Sequence, residues 1–157
     1  MARLARKTES EIAAIRRGVL LHDIGKLALP DSILQKKGPL TEEEWEIMRL
    51  HPVYAQQLLS PIPYLKDSIN IPYCHHERYD GSGYPRHLAG EQIPEEARLF
   101  AVIDVWDALR SDRPYRKGWD DDKALEYIRV NSGRHFDPKA VEMFHELMDM
   151  QSVRYPK

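Results

Sequence analysis

The sequence predicts an all-α fold, and three observations carry that prediction. Apolar residues recur at helical spacing along most of the chain. No stretch shows the strict apolar–polar alternation of a half-buried strand. Glycine and proline divide the apolar stretches into helix-sized pieces.

Residues 9–22 place Ile12, Ile15, Val19 and Leu20 or Leu21 on one stripe, the pattern of an amphipathic helix. That stripe ends at His22-Asp23, where Gly25 is expected to loosen the chain. Pro30-Asp31 opens a short turn or helix around 32–35, and Gly38-Pro39 is a break. Thr41 with Glu44 three positions on makes a capping box, and the acidic first turn suits the helix dipole. This helix is expected to run to 59, kinked at or just after His51 by Pro52, with Trp45, Met48, Val53, Leu58 and Leu59 buried. A further helix is expected over 65–77. Residues 79–94, with Gly81, Gly83, Pro85, Gly90 and Pro94, read as a loop of about fifteen residues, a length that often carries function. Helices over 95–109, 120–131 and 138–150 complete the chain, the last with Asp137 as N-cap and Pro138 at its first position. A polar loop rich in Arg and Lys, 111–118, precedes the last two.

Composition narrows the function. With 157 residues and no repeat or linker, the chain is expected to form a single domain over 1–157. A hydrophobic content of 42% is enough to offset the entropy of ordering. Lys+Arg 23 against Asp+Glu 25 leaves no global basic field for a nucleic-acid polymer or a membrane. One cysteine, Cys74, excludes an internal disulfide framework, and no apolar run approaches the roughly 20 residues of a membrane span. The reading is a cytoplasmic globular protein.

The chemistry lies in where histidines and aspartates fall. His22-Asp23 closes the first helix, His51 lies in the third element, His75-His76 in the fourth, and Asp104 in the fifth. Imidazole nitrogen and carboxylate oxygen suit iron, manganese and zinc. Asp104 sits among Phe100, Ala101, Val102, Ile103, Val105 and Trp106, so it is expected to be half-buried and to need a partner. Asp107, on the same face, is expected to support it rather than ligate. Arg110, Arg113, Arg116 and Lys117 follow that helix; alone they read as a solvated loop, beside a metal cluster as a phosphate grip. Cys74 reads as a small buried residue, and His135 and His145 as surface or packing residues.

The order of motifs then becomes specific. His22-Asp23-Ile24-Gly25-Lys26, Pro30-Asp31, Glu44-Trp45 to His51-Pro52, His75-His76-Glu77, Asp80-Gly81-Ser82-Gly83-Tyr84-Pro85, Ile93-Pro94, Asp104-Val105-Trp106-Asp107-Ala108-Leu109 and Arg113-Pro114-Tyr115-Arg116 follow one another. From about Glu9 to Met148 the chain resembles an HD-GYP domain, a branch of the HD metal-dependent phosphohydrolases. The resemblance implies an HD-domain helical bundle. It implies a metal-dependent hydrolase of bacterial signal transduction, a phosphodiesterase converting cyclic di-GMP to the linear dinucleotide pGpG and onward to GMP. The implied ligands of two divalent ions, iron or manganese, are His22, Asp23 (bridging), His51, His75, His76 and Asp104. Asp23 and Lys26 would be catalytic. Lys26, Arg113 and Arg116 would meet phosphate, and Gly83, Tyr84 and Pro85 would shape the loop beside the ligand.

Against the family pattern, the chain is expected to be truncated at the N-terminus and to lack the helix that supplies a further histidine. One ion, on Asp23, His51, His75 and His76, would be held tightly; the other, on His22, Asp23 and Asp104, weakly or not at all. Apolar surface left uncovered would favour a homodimer, and the GYP loop could hold a signalling partner. His87 stands where the family usually has glycine and is expected to be a neutral surface change. The alternatives are a catalytically weak domain that binds cyclic di-GMP or a partner, and a phosphohydrolase of another nucleotide.

Overall fold

The structure is a computed structural model that describes residues 1–112 and 117–154, with side chains to 150. Its α-helices are α1 (Glu9–Leu20), α2 (Asp31–Leu34), α3 (Glu42–Met48), α4 (His51–Leu59), α5 (Asn70–Cys74), α6 (Glu95–Arg110), α7 (Asp121–Val130) and α8 (Pro138–Arg154). Short 3-10 turns lie at Ile24–Ala28, Pro63–Ser68 and Gly90–Gln92. Among the described residues the one extended pairing is an isolated bridge between Ser132 and Phe136, so the fold is all-α as expected. No helix among them is long and apolar enough to cross a membrane.

Side-chain caps start α1, α3, α7 and α8. Thr41 accepts from the Glu44 N–H at 3.3 Å, while the Glu44 carboxylate accepts from the Thr41 N–H at 2.7 Å. Asp120 accepts from the Lys123 N–H at 2.8 Å to start α7, and Asp137 accepts from the Lys139 N–H at 2.9 Å to start α8.

Two expected helices are broken. The 41–59 segment is not one kinked helix but α3 and α4, parted at Arg49-Leu50. Proline lacks an N–H and its ring collides with the carbonyl four residues back, so Pro52 sits in the first turn of a new helix. The restart turns His51, Pro52, Ala55 and Leu59 inward, and leaves Trp45 and Leu58, both expected to be buried, at the surface. The 65–77 segment likewise divides into the Pro63–Ser68 turn and α5, with Pro72 inside α5 and His75-His76 just past its end. Helix α1 also stops two residues early and buries Ile12, Ala14 and Gly18, while Leu20 is exposed.

The main core lies between α6, α7 and α8. Leu99, Val102 and Trp106 of α6 pack on Ala124 and Ile128 of α7 and on Phe136, Ala140, Val141 and Phe144. The Trp106 and Phe144 rings meet edge to face at 5.3 Å. A buried ion pair between Arg98 of α6 and Asp137 ties the start of α8 to α6. Cys74 is buried with Ile93 and Ala97, and burial pushes its thiol up to about 11, consistent with an inert packing residue. Away from that core, α4 packs on the Ile24–Ala28 turn and on α5, while α1 packs on α5 and on the Pro63–Ser68 turn. Helix α6 touches both groups, and the conspicuous histidines line the seam.

Candidate metal centre

The turn that follows α1 carries His22, Asp23, Gly25 and Lys26 against α4. Gly25 was expected to loosen the chain; instead it is buried and permits close approach. A Cβ there would lie 1.9 Å from the His51 carbonyl oxygen and 2.6 Å from the Ala55 nitrogen. That contact brings Asp23 under His51.

Asp23 then stands at the centre. Its Oδ1 lies 3.5 Å from His51 Nε2 and 3.9 Å from His75 Nε2, and its Oδ2 lies 3.3 Å from His22 Nε2 and 2.7 Å from Lys26 Nζ. Asp104 Oδ1 lies 3.9 Å from the same His22 Nε2. The His75 and His76 rings lie 4.0 Å apart, and His76 meets His51 edge to face at 5.0 Å. Phe100, buried, lies beside His22 at 5.1 Å.

The imidazoles are oriented by the backbone. Nδ1 of His22 faces the Val19 carbonyl at 2.8 Å, Nδ1 of His51 faces Met48 at 2.8 Å, and Nδ1 of His75 faces Ile71 at 3.1 Å. A carbonyl accepts only, so each Nδ1 carries a hydrogen; on neutral His51 and His75 the Nε2 then offers a lone pair, while His22, raised by Asp23, donates from Nε2 to that carboxylate. The Nε2 atoms of His51 and His75 therefore face one another at 3.4 Å with no proton between them. Two buried acceptors so placed repel, and a cation on their common side relieves it. Each of His51, His75 and His76 offers a ligand atom within 4.8 Å of the others, and this donor set fits a divalent transition metal.

The electrostatics point the same way. Burial lowers His75 to about 3 and also lowers His51 and His76, so all three are neutral near pH 7. Burial would raise Asp23, but hydrogen bonds from His22 and Lys26 outweigh it and hold the carboxyl well below its usual range. Hydrogen bonding to Asp23 raises His22, while burial raises Asp104. Asp104 is half-buried, as expected, and Asp107 is exposed.

A pocket of about 360 Å³ opens over the cluster, lined by Lys26, Trp45, Met48, Tyr84 and Ala108 as well as the ligating types. Tyr84 stacks on His76 at 4.8 Å, and burial pushes its phenol up to about 12. Gly83 and Pro85 support Tyr84 rather than line the pocket. A Cβ on Gly83 would lie 2.2 Å from the Arg78 nitrogen and 2.5 Å from the His76 oxygen. Lys26, expected on phosphate, is paired with Asp23. Arg110 is turned away from the pocket, paired with Asp121 at 2.6 Å with its guanidinium over Trp106. Arg113 and Arg116 lie outside the described residues.

Sequence reasoning missed the part played by Glu77. Its carboxylate is buried at 2% exposure and accepts from the N–H groups of Arg86 at 2.7 Å and Leu88 at 3.0 Å, which folds the loop back beneath Tyr84. Beside two histidines it reads as one more polar residue; the signal was the glycine loop after it, whose amides need an acceptor.

Comparison with known proteins agrees with this geometry. The HD domain family matches residues 1–140. The chain is similar to the cyclic di-GMP phosphodiesterase response regulator RpfG of Xanthomonas campestris pv. campestris, at 49% identity over 137 residues, covering 86% of this chain and 36% of that protein. It is similar to the 3'3'-cGAMP-specific phosphodiesterase 2 of Vibrio cholerae, at 42% identity over 151 residues, covering 95% of this chain and 29% of that protein. The chain thus spans about a third of the length of these curated relatives. Among solved structures it is similar in fold to Bd1817, an HDG"Y"P protein of Bdellovibrio bacteriovorus, with a TM-score of 0.73 at 19% identity, covering 94% of this chain and 47% of that one. The match along nearly the whole chain, and the histidines and aspartates it gathers at one seam, establish that the chain belongs to the HD domain family.

Proposed function

We propose that this chain is an HD-GYP phosphodiesterase domain that hydrolyses a cyclic purine dinucleotide, cyclic di-GMP in the first place. The observation that carries the reading is the convergence of His51, His75 and His76 on Asp23, with His22 and Asp104 on the other side of the same carboxylate and Tyr84 above. His51, His75, His76 and Asp23 Oδ1 would hold one divalent ion, iron or manganese; His22, Asp104 and Asp23 Oδ2 would hold a second, more weakly. Bound there, such ions supply a water of lowered pKa and Lewis acidity toward phosphoryl oxygen.

The chain's own residues do the rest. Asp23 joins the two halves and stays ionised. Lys26, half-exposed beside it, offsets negative charge on the phosphoryl oxygens as the bond to the 3′ oxygen breaks. Arg113 and Arg116 are proposed to grip the second phosphate. The 42% identity to the Vibrio cGAMP-specific enzyme favours 3'3'-cGAMP as the second substrate to test.

The test is anaerobic turnover of both dinucleotides by the chain with ferrous iron or manganese, products resolved by chromatography. The expected product is the linear dinucleotide, lost in His75→Ala and on chelation. Tight binding without turnover would instead make the chain a dinucleotide-binding domain.

A further inference from the structure

Helix α3 buries no residue; its first turn is closed by the Thr41 capping box, and it carries Trp45 and Met48 on the wall of the metal pocket. Besides the histidines, the pocket's other aromatic group, Tyr84, is half-buried and stacked on His76. Trp45 differs from it. It is 42% exposed, and among the described residues no aromatic ring packs on it. The Arg49 guanidinium lies 5.9 Å from the ring centroid and is paired in turn with Glu42 at 3.0 Å. An indole open to solvent and sharing a pocket with Lys26 and the His/Asp cluster meets the needs of a ligand with an anionic centre and a planar arm.

We infer that Trp45 is the stacking platform for one nucleobase of the dinucleotide and so favours purine over pyrimidine. The inference rests on the functional reading above. A purine covers more of an indole than a pyrimidine does, so the same platform separates the two classes without hydrogen bonds to base edges. Trp45 is not among the residues that would hold the ions and carries no group to activate water, so its removal should appear in KM and not in kcat.

The test uses the full chain loaded with manganese and its Trp45→Ala and Trp45→Phe variants, with cyclic di-GMP and cyclic di-UMP as substrates. Circular dichroism and bound manganese confirm that the variants fold and keep the centre. Stacking of one base predicts that Trp45→Ala raises KM for cyclic di-GMP by about 5- to 150-fold, with kcat within about threefold. The purine-to-pyrimidine ratio should shrink in Trp45→Ala, and Trp45→Phe should recover most of both effects. An unchanged KM, a fall in kcat alone, or equal losses on the two substrates would overturn the stacking. A wild-type chain that neither binds nor turns over cyclic di-GMP would overturn the functional reading itself, and the stacking with it.

Discussion

Replacing Gly25 with alanine tests how the centre is assembled. A Cβ at position 25 would lie 1.9 Å from the His51 carbonyl oxygen and 2.6 Å from the Ala55 nitrogen, and separations under 3.0 Å are essentially never seen. The turn and α4 must therefore part by about 1 Å. Both neighbours are backbone atoms of one helix, so no side chain can rotate aside. Overpacking of this kind costs about 1–3 kcal/mol, and rigid backbone puts Gly25→Ala toward the upper end. The parting also moves Asp23 away from His51 and His75, and a 1 Å misplacement costs on the order of 100-fold in rate. Urea denaturation of the metal-free chain reads the first effect, and turnover with saturating manganese reads the second. Gly38→Ala is the control, because nothing lies within 4 Å of its Cβ. It should be neutral or gain up to about 1 kcal/mol by restricting the unfolded chain. If Gly25→Ala unfolds within about 0.5 kcal/mol of wild type and turns over at the wild-type rate, close approach does not build the site.

Three further outcomes follow from the same geometry. Glu77→Gln replaces an acceptor with an amide nitrogen and leaves one of the Arg86 and Leu88 N–H groups unpaired; it should cost about 1–3 kcal/mol and raise KM through the loosened loop, read by denaturation and steady-state kinetics. His87 is exposed with φ +54°, a left-handed conformation that favours glycine, so His87→Gly should raise stability by about 0.5–1 kcal/mol, seen as a higher urea midpoint; a fall would refute the argument. For the metal-free chain, burial holds His75 at about 3 and also lowers His51 and His76, against an unfolded value of about 6.5. The unfolded state binds more protons between those limits, so their contribution is complete above about pH 6.5 and is lost as pH falls toward 3. His22 and Asp104 are raised and act in the opposite sense. His135, lowered to about 4 by burial, acts with the three. Four lowered groups against two raised ones give a urea midpoint that falls from pH 7 to pH 5, and His75→Gln should flatten that slope.

Residue chemistry made much of this protein legible before its shape was known. The Thr41–Glu44 box and Asp137 marked helix starts because capping is local and depends on side-chain type alone; Asp120, read as the first helical residue, proved to be a cap too. The histidines and aspartates stood out because their donors have few bland uses at such density. What escaped was mutual arrangement. Pro52 could either kink a helix or begin one, and the choice was decided by whether His51 and Ala55 could reach the Ile24–Ala28 turn. Trp45 and Leu58 looked like core because they continued an apolar stripe, yet the restart at Leu50 rotated that stripe outward. Gly25 read as slack because a glycine's local signal is the same whether it frees the chain or admits a neighbour. Glu77 showed nothing until its two amide partners, nine and eleven residues on, were in place.

The segment after His76 is sewn down along its length. Gly83 rests on the 76–78 backbone, Glu77 holds both Arg86 and Leu88, and the amides of Tyr79 and Asp80 donate to His135 at 3.1 Å and Arg134 at 2.8 Å. Gly90 donates back to Tyr79 at 2.8 Å. A stretch anchored at so many points does not swing. It forms a fixed jamb for the entrance, with slow amide exchange expected at Tyr79, Asp80, Arg86 and Leu88. Admission and release of a ligand must then be governed from the opposite side, where α3 buries nothing and is free to breathe.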